Sequence, residues 1–590
     1  EMAASHPVDS VPARSLRLGA AAIDYYPREA KTFWATHYLR LREPVSLWED
    51  SRDVVVIDPA RCRVVEDWHR PEGARTDRRV LEIRGELAPG TRLSEGSSPF
   101  ALYDLPAPYP FEAAPRWIHA DHRVSVVEVL DDGVIVSESA VQGFTWSELP
   151  VALTPASPPP AANQQVAIDA WADAVIAAAP QLPEEPATDI LCRRPPRTRS
   201  GALTVSEGDD ADAIVRSLLD LDRSYLAVQG PPGTGKTYIG SHVIARLVAE
   251  HGFTVGVVAQ SHAVVENMLD RVIAAGVPAA QVGKAPKDAA VTPSFTALAK
   301  NGIAEFTAAH ADKGYVIGGT AWDFAHEGRV PRGSLDLLVI DEAGQFSLAS
   351  TIAVSLAASR LLLLGDPQQL PQVSQGTHPE PVDTSALGWV IDGADVIPAE
   401  YGYFLARTWR MHPDVAATVS TLSYGGALRA HPSTARRTLE GIAPGLHAHP
   451  VRHRGNATWS PEEAAVVAGI VTDLIGRSWQ PVRTDASGRS VSEPARPLSA
   501  ADVIVVEFLL LRNRLNVAVS RAMHAAFVVY SPGLLDDLPR TPEGVARLSA
   551  FARLVGADPD ASFGAGPGGD AQIGSAVGDV NPVQVASARS

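Results

Sequence analysis

Cysteine is almost missing from this chain. Only Cys62 and Cys192 occur in 590 residues, far apart. That argues against a disulfide scaffold or a cysteine-based metal site and suits a reducing, cytoplasmic compartment. No run of about 18 apolar residues occurs, which argues against a membrane-spanning helix. The opening EMAASHPVDSVPARS lacks the basic-then-apolar pattern of a secretory signal. It begins at Glu1, so the chain reads as the tail portion of a longer polypeptide. An excess of positive charge is missing too. The formal net charge is −17, which disfavours a protein that coats nucleic acid non-specifically but is compatible with a basic groove on an acidic body. Lysine is scarce beside arginine and alanine is abundant, as in a high-GC bacterial proteome. There is no internal repeat.

What is present is an ordinary globular composition, 45% hydrophobic and 20% charged, in a chain long enough for several domains. Residues 1–52 form a helical segment, with Phe33, Trp34, Tyr38 and Leu41 at helical spacing. From 53 to 150, short apolar or alternating runs such as DVVVID, RRVLEIRGEL, HRVSVVEVL and GVIVSESAV are separated by turn signals. They predict a small antiparallel β-rich accessory domain, a barrel being one form it could take. A Pro/Ala-rich linker and a helix around QVAIDAWADAVIAAA occupy 151–205. From 206 the pattern becomes α/β. Buried strands YLAVQ, TVGVVAQ, LDLLVID and RLLLLGD alternate with helical stretches, which predicts parallel sheet covered on both faces. We divide it into 206–400 and 401–535. A C-terminal helix and a Gly/Ala/Asp-rich disordered tail would complete 536–590.

The strongest local signal follows the strand LAVQ: Gly230, Pro231, Pro232, Gly233, Thr234, Gly235, Lys236 and Thr237, then a helix that stops at Gly252. Glycines let backbone N–H groups turn inward around phosphate oxygens, and the helix N-terminus adds partial positive charge. Lys236 can reach the β- and γ-phosphates of ATP, and Thr237 can offer its hydroxyl to Mg²⁺. A glycine-rich turn with an incidental lysine would not need that strand and helix around it. Downstream, DLLVIDEAGQ delivers Asp341 and Glu342 at a strand's carboxyl end. Asp341 suits a Mg²⁺ held through water, and Glu342 suits deprotonating the attacking water. RLLLLGDPQQLPQV repeats the design and places Gln369 to sense the γ-phosphate. Taken alone, that stretch would be ordinary turn chemistry.

Together GPPGTGKT, DEAGQ, GDPQQLPQV, TWRMHP and RLNVAVSRA resemble, in type and order, the motifs of superfamily 1 helicases, most of all the 1B branch of Dna2/Nam7-type enzymes. The resemblance covers residues 206–535. It implies two RecA-like domains, ATP-driven 5′-to-3′ translocation along single-stranded DNA or RNA, and further site residues. Ser261 and His262 (motif Ia) and Thr320 (motif Ib) would face the nucleic-acid backbone, although plain strand-end packing describes the same positions. Trp409, where a tyrosine often stands, would stack on adenine, and Arg410 would meet the γ-phosphate. Arg521 would be the motif VI arginine finger, with Arg514 and Asn516 structural. The N-terminal REAKTFWATHYLRL further resembles bacterial fusions in which a RecB-like nuclease precedes such a helicase.

Two departures stand out. No adenine-binding glutamine motif precedes LAVQG. A strand predicted at Ala501–Val506 runs directly into Glu507, so the segment that carries motif V in the family is missing, and the second RecA-like domain is incomplete. The loss bears on unwinding more than on nucleotide binding. It leaves as the rival reading a non-motor ATP-binding switch or nucleic-acid-binding scaffold.

Overall fold

A computed structural model describes residues 2–48, 53–87, 91, 93–287, 292–299, 301–456, 460–484, 490–506, 511–535 and 539–556. The tail expected to be disordered lies outside them, as do residues 507–510, which follow the predicted strand Ala501–Val506. Two compact units are present: residues 1–445 with 474–526, and residues 446–473 with 527–590.

The larger unit begins with helices Val11–Ile23 and Tyr25–Arg40. An antiparallel sheet follows, made of β1 (Val55–Ile57), β2 (Arg63–His69), β3 (Arg78–Leu87), β4 (Phe100–Asp104), β5 (His119–Leu130), β6 (Gly133–Ser139) and β7 (Ala152–Thr154). Its order is β1-β7-β4-β5-β6-β3-β2, and β1 also pairs with β3, so six strands close into a barrel with β2 alongside. The closing strand, β7, lies just beyond the boundary set at 150. Alternate residues such as Leu81, Ile83, Val124, Val126, Val134 and Val136 fill the interior, as the period of two requires.

Helix Tyr25–Arg40 ties this barrel to the α/β core. At its N-terminal end the Glu29 carboxylate accepts hydrogen bonds from Ser374 Oγ (2.6 Å), Gln375 N (2.8 Å), Gly376 N (3.1 Å) and His378 Nε2 (2.6 Å). Tyr25 stacks on His378 with ring centroids 4.9 Å apart. At the other end, Leu41 O accepts from Ile118 N at 2.8 Å, and His37 meets Asp121 at 3.2 Å.

The α/β core carries β8 (Tyr225–Gln229), β9 (Thr254–Val258), β10 (Val282–Lys284), β11 (Thr296–Ala297), β12 (Tyr315–Gly319), β13 (Leu337–Asp341), β14 (Leu361–Gly365) and β15 (Gly402–Phe404). The order is β11-β10-β12-β9-β13-β14-β8-β15, and all pairings are parallel. Apolar clusters cover both faces, which is why these strands read as continuous hydrophobic runs. The sheet runs past residue 400, because β15 is its edge strand. Since every strand points the same way, their carboxyl ends form one rim, where open parallel sheets place ligands.

Beyond β15 the sheets are fragments of two or three strands, in keeping with an incomplete second α/β domain. One expectation is corrected. The predicted buried strand Ala501–Val506 is a turn at Ala500–Asp502, boxed by Ser499 and Asp502, followed by extended chain that pairs with no strand among the described residues. Ile504, Val505 and Val506 are 60%, 62% and 51% exposed. A strand is buried by its neighbours, and among the described residues no strand lies beside this run.

The smaller unit holds the helix Pro542–Leu554 and most of the helix Pro461–Leu474. Its residues Leu446–Pro450 and Phe527–Tyr530 belong to a two-stranded pairing. Cys62 is half-buried and Cys192 buried, and both are free. Burial pushes both thiols above their ordinary pKa. Thiol titration without reductant is therefore expected to find Cys62 slowly in the native protein and both residues after denaturation. A bound zinc found by elemental analysis would contradict this.

Candidate nucleotide site

The phosphate loop leaves the buried strand β8 and enters helix Lys236–His251. Gly230 N donates to Gly365 O at 2.8 Å, which sets the loop against the end of β14. Lys236 Nζ donates to Gly230 O at 2.8 Å, and Thr234 Oγ1 to Pro231 O at 2.8 Å. Gly233 has φ +76°, and a Cβ there would lie 2.4 Å from the Cβ of Arg410. Only glycine lets the loop pass so close to Arg410.

Asp341, at the end of β13, is 3% exposed. Burial, and after it the charge of Glu342, pushes its pKa up to about 7, while Lys236 pulls it down. Its Oδ1 accepts from Glu342 N at 2.9 Å. Glu342 itself is left-handed, φ 54° and ψ 41°, a strained geometry for a side-chain-bearing residue. A buried carboxylate short of positive charge and the Thr237 hydroxyl in the first turn of the helix are hard oxygen donors, and they fit Mg²⁺ arriving with phosphates. Among the described residues no group of three or more His, Cys, Asp or Glu is placed to hold a metal by itself.

Asp366 follows β14 and is 1% exposed. It accepts from Gln369 Nε2 at 3.1 Å and from Tyr424 OH at 2.7 Å. Burial raises its pKa, opposed by Lys236 and these hydrogen bonds. Asn516, fully buried in the helix Arg512–Ser520, donates to Tyr424 OH and to Gln368 O, both at 2.9 Å, and Asn513 donates to Gln369 O at 2.6 Å. The helix that ends at Arg521 is thus bonded directly to the loop bearing Gln369.

Trp409 N donates to Gly233 O at 2.8 Å, and Thr408 Oγ1 to Pro232 O at 3.0 Å, so this segment is fastened to the phosphate loop. The Trp409 ring stacks on His431 with centroids 3.7 Å apart and planes 17° apart. Desolvation, and after it the like charge of Arg521, lowers the pKa of Arg410. Among the described residues neither Arg410 nor Arg521 pairs with a carboxylate. Arg410 thus lies against the phosphate loop, within reach of the charge of Arg521.

Residues 209–385 match the family model of an AAA domain. The chain is 29% identical over 172 residues to "DNA replication ATP-dependent helicase/nuclease JHS1" of Arabidopsis thaliana, covering 29% of this chain and 12% of that protein. It is 26% identical over 245 residues to "Regulator of nonsense transcripts 1 homolog" of Drosophila melanogaster, covering 35% of this chain and 20% of the relative. Over these stretches the chain is similar to superfamily 1 helicases of the Dna2/Nam7 type. It spans a fifth or less of the length of these curated relatives. Among solved structures it is similar to the arterivirus nonstructural protein 10 helicase with DNA, at TM-score 0.31 and 11% identity over 75% of this chain and 78% of that one.

Ser261, His262 and Thr320 stand at the carboxyl ends of the adjacent strands β9 and β12, on the same rim as the phosphate loop. Ser261 caps helix His262–Ala274, accepting from Val264 N at 3.3 Å. Thr320 forms a capping box with Asp323, through contacts of 2.9 and 3.0 Å. His262 Nδ1 lies 3.0 Å from Lys284 Nζ, which also donates to Glu266 at 2.8 Å. Burial and that lysine lower the pKa of His262. Lysine can only donate to Nδ1, so the neutral ring carries its proton on Nε2. Ser261 and Thr320 therefore have structural work, and the His262 Nε2–H is available as a donor.

Sequence reasoning missed Tyr424 and Arg437 and passed over Asn516 as structural. No local motif marks Tyr424 or Arg437. Asn516 does lie inside RLNVAVSRA, so it could have been singled out.

Proposed function

We propose that this chain is an ATP-dependent translocase of single-stranded DNA or RNA with helicase ancestry, moving 5′ to 3′. One observation carries the reading. The charge of Lys236 acts on the buried Asp341 and Asp366, Gln369 bonds Asp366, residues 408 and 409 bond the phosphate loop, and Arg410 feels the charge of Arg521, although these residues are scattered over nearly 300 positions of sequence. Lys236 and the loop N–H groups bind the β- and γ-phosphates. Thr237 and Asp341 would hold Mg²⁺, which when bound neutralises charge on the β- and γ-phosphate oxygens. Glu342 takes the proton of the attacking water. Gln369 senses the γ-phosphate and passes its presence through Asn513 and Asn516 to the helix bearing Arg521. Arg410 and Arg521 stabilise charge that develops during hydrolysis, and Trp409 stacks on the base. The strand lies along the rim, with His262 among its backbone contacts and Ser261 and Thr320 beside it. Such contacts give little sequence preference. The compartment is the cytoplasm, and a RecB-like nuclease domain precedes this chain in a longer polypeptide.

The exposed Ile504–Val506 segment favours a second reading, a nucleotide switch or nucleic-acid scaffold with impaired unwinding. The two readings separate by ATPase rate with and without single-stranded DNA or RNA, on this chain and on one with a family-like segment restored between Val506 and Glu507. The expected result is measurable ATP affinity, weak stimulation and poor unwinding for the chain as it stands, with stimulation recovered on restoration. Strong stimulation and processive unwinding without restoration would show that the missing segment is dispensable. No stimulation in either chain would favour the switch.

A further inference from the structure

Arg437 is 5% exposed, yet no carboxylate pairs with it among the described residues. Its Nη2 donates to Trp409 O at 3.0 Å and to Val482 O at 3.3 Å, its Nη1 donates to Arg410 O, and its Nε is buried without a partner. Buried cations are ordinarily paired, because desolvation is costly. The hydrogen bonds of this one go to backbone carbonyls, and burial lowers its pKa.

Two of the three carbonyls it holds belong to consecutive residues to which the proposed function gives tasks. Trp409 O and Arg410 O are gripped by Arg437 on one side. On the other, Trp409 N and Thr408 Oγ1 are bonded to Gly233 O and Pro232 O of the phosphate loop. The backbone from 408 to 410 is therefore clamped between the loop and a planar, five-donor fork that lysine cannot imitate.

We propose that Arg437 is a positioning residue that sets Arg410, and with it Trp409, against the phosphate loop. This rests on the reading of Arg410 as the γ-phosphate ligand. The placement matters because a shift of about 1 Å at a catalytic group can cost roughly 10²-fold in rate.

The test uses the full chain with Arg437→Met, Arg437→Lys, Arg410→Ala and the Arg410→Ala/Arg437→Met double variant. The readouts are ATPase kcat and KM and the melting temperature without nucleotide. Both Arg437 variants are expected to lose roughly 10²-fold in kcat, with a smaller change in KM. The double variant should be no slower than Arg410→Ala alone, since Arg437 acts through Arg410. If Arg437→Met melts early, Arg437→Lys, which keeps the charge, decides. Parental kcat in a folded Arg437 variant while Arg410→Ala is inactive would overturn the inference and leave the function intact. Independent, multiplying losses in the double variant would overturn it as well. Parental kcat in Arg410→Ala would overturn the γ-phosphate reading, and the inference with it.

Discussion

Lys236→Ala is expected to abolish ATP turnover, with a loss of at least about 10²–10³-fold in kcat. Lys236 stands within the loop, its Nζ 2.8 Å from Gly230 O. It is also a charge that holds down the pKa of both buried carboxylates, Asp341 and Asp366. Alanine removes the cation that meets the phosphates and leaves those carboxylates without it. Asp341 and Asp366 would then take up protons more readily, which weakens the very groups meant to hold Mg²⁺ and the Gln369 loop. Phosphate release and titration with a fluorescent ATP analogue should both collapse. Turnover within a few-fold of the parent would remove the loop from the mechanism.

Glu342→Gln is expected to separate binding from chemistry. Hydrolysis should fall by about 10²–10⁴-fold, the usual contribution of a positioned base, while ATP still binds. Glutamine keeps the shape of the side chain and loses only the basic oxygen. The left-handed backbone at Glu342, a conformation that costs on the order of 1–3 kcal/mol, is held by the Glu342 N to Asp341 Oδ1 hydrogen bond of 2.9 Å, which the substitution does not touch. Single-turnover mixing followed by filter binding would show unhydrolysed ATP retained on the protein. Parental hydrolysis by this variant would mean that another group deprotonates the water.

Much of this centre is local in sequence and could be read there. A strand of four or five apolar residues ending in a glycine-rich turn, Asp-Glu or Gly-Asp is specified within ten positions. The sheet confirms β8, β13 and β14 where the hydrophobic runs lie. The alternation of Val and Ile in 53–140 likewise marks the barrel strands. What could not be read depends on distant partners. Tyr424 reaches Asp366 across 58 positions, and Arg437 reaches Trp409 across 28. Neither is announced by its neighbours in the chain. The apolar run Ala501–Val506 fails for the same reason. Its composition asks for a strand, but burial needs adjacent strands, and Ile504, Val505 and Val506 stay in water. Ser261 and Thr320 show the opposite case. Residues of the right type at strand ends turned out to cap helices, a role that the same sequence pattern also encodes.

The helix Tyr25–Arg40 has a mechanical consequence. Its 16 residues span about 24 Å at 1.5 Å per residue, with the segment after Gln369 gripped near one end and the barrel at the other. A short, hydrogen-bonded rod has little compliance along its axis. A displacement of residues 374–378 would therefore be carried along the helix toward β4 and β5. Pressure on the barrel would, by the same linkage, be felt at residues 374–378.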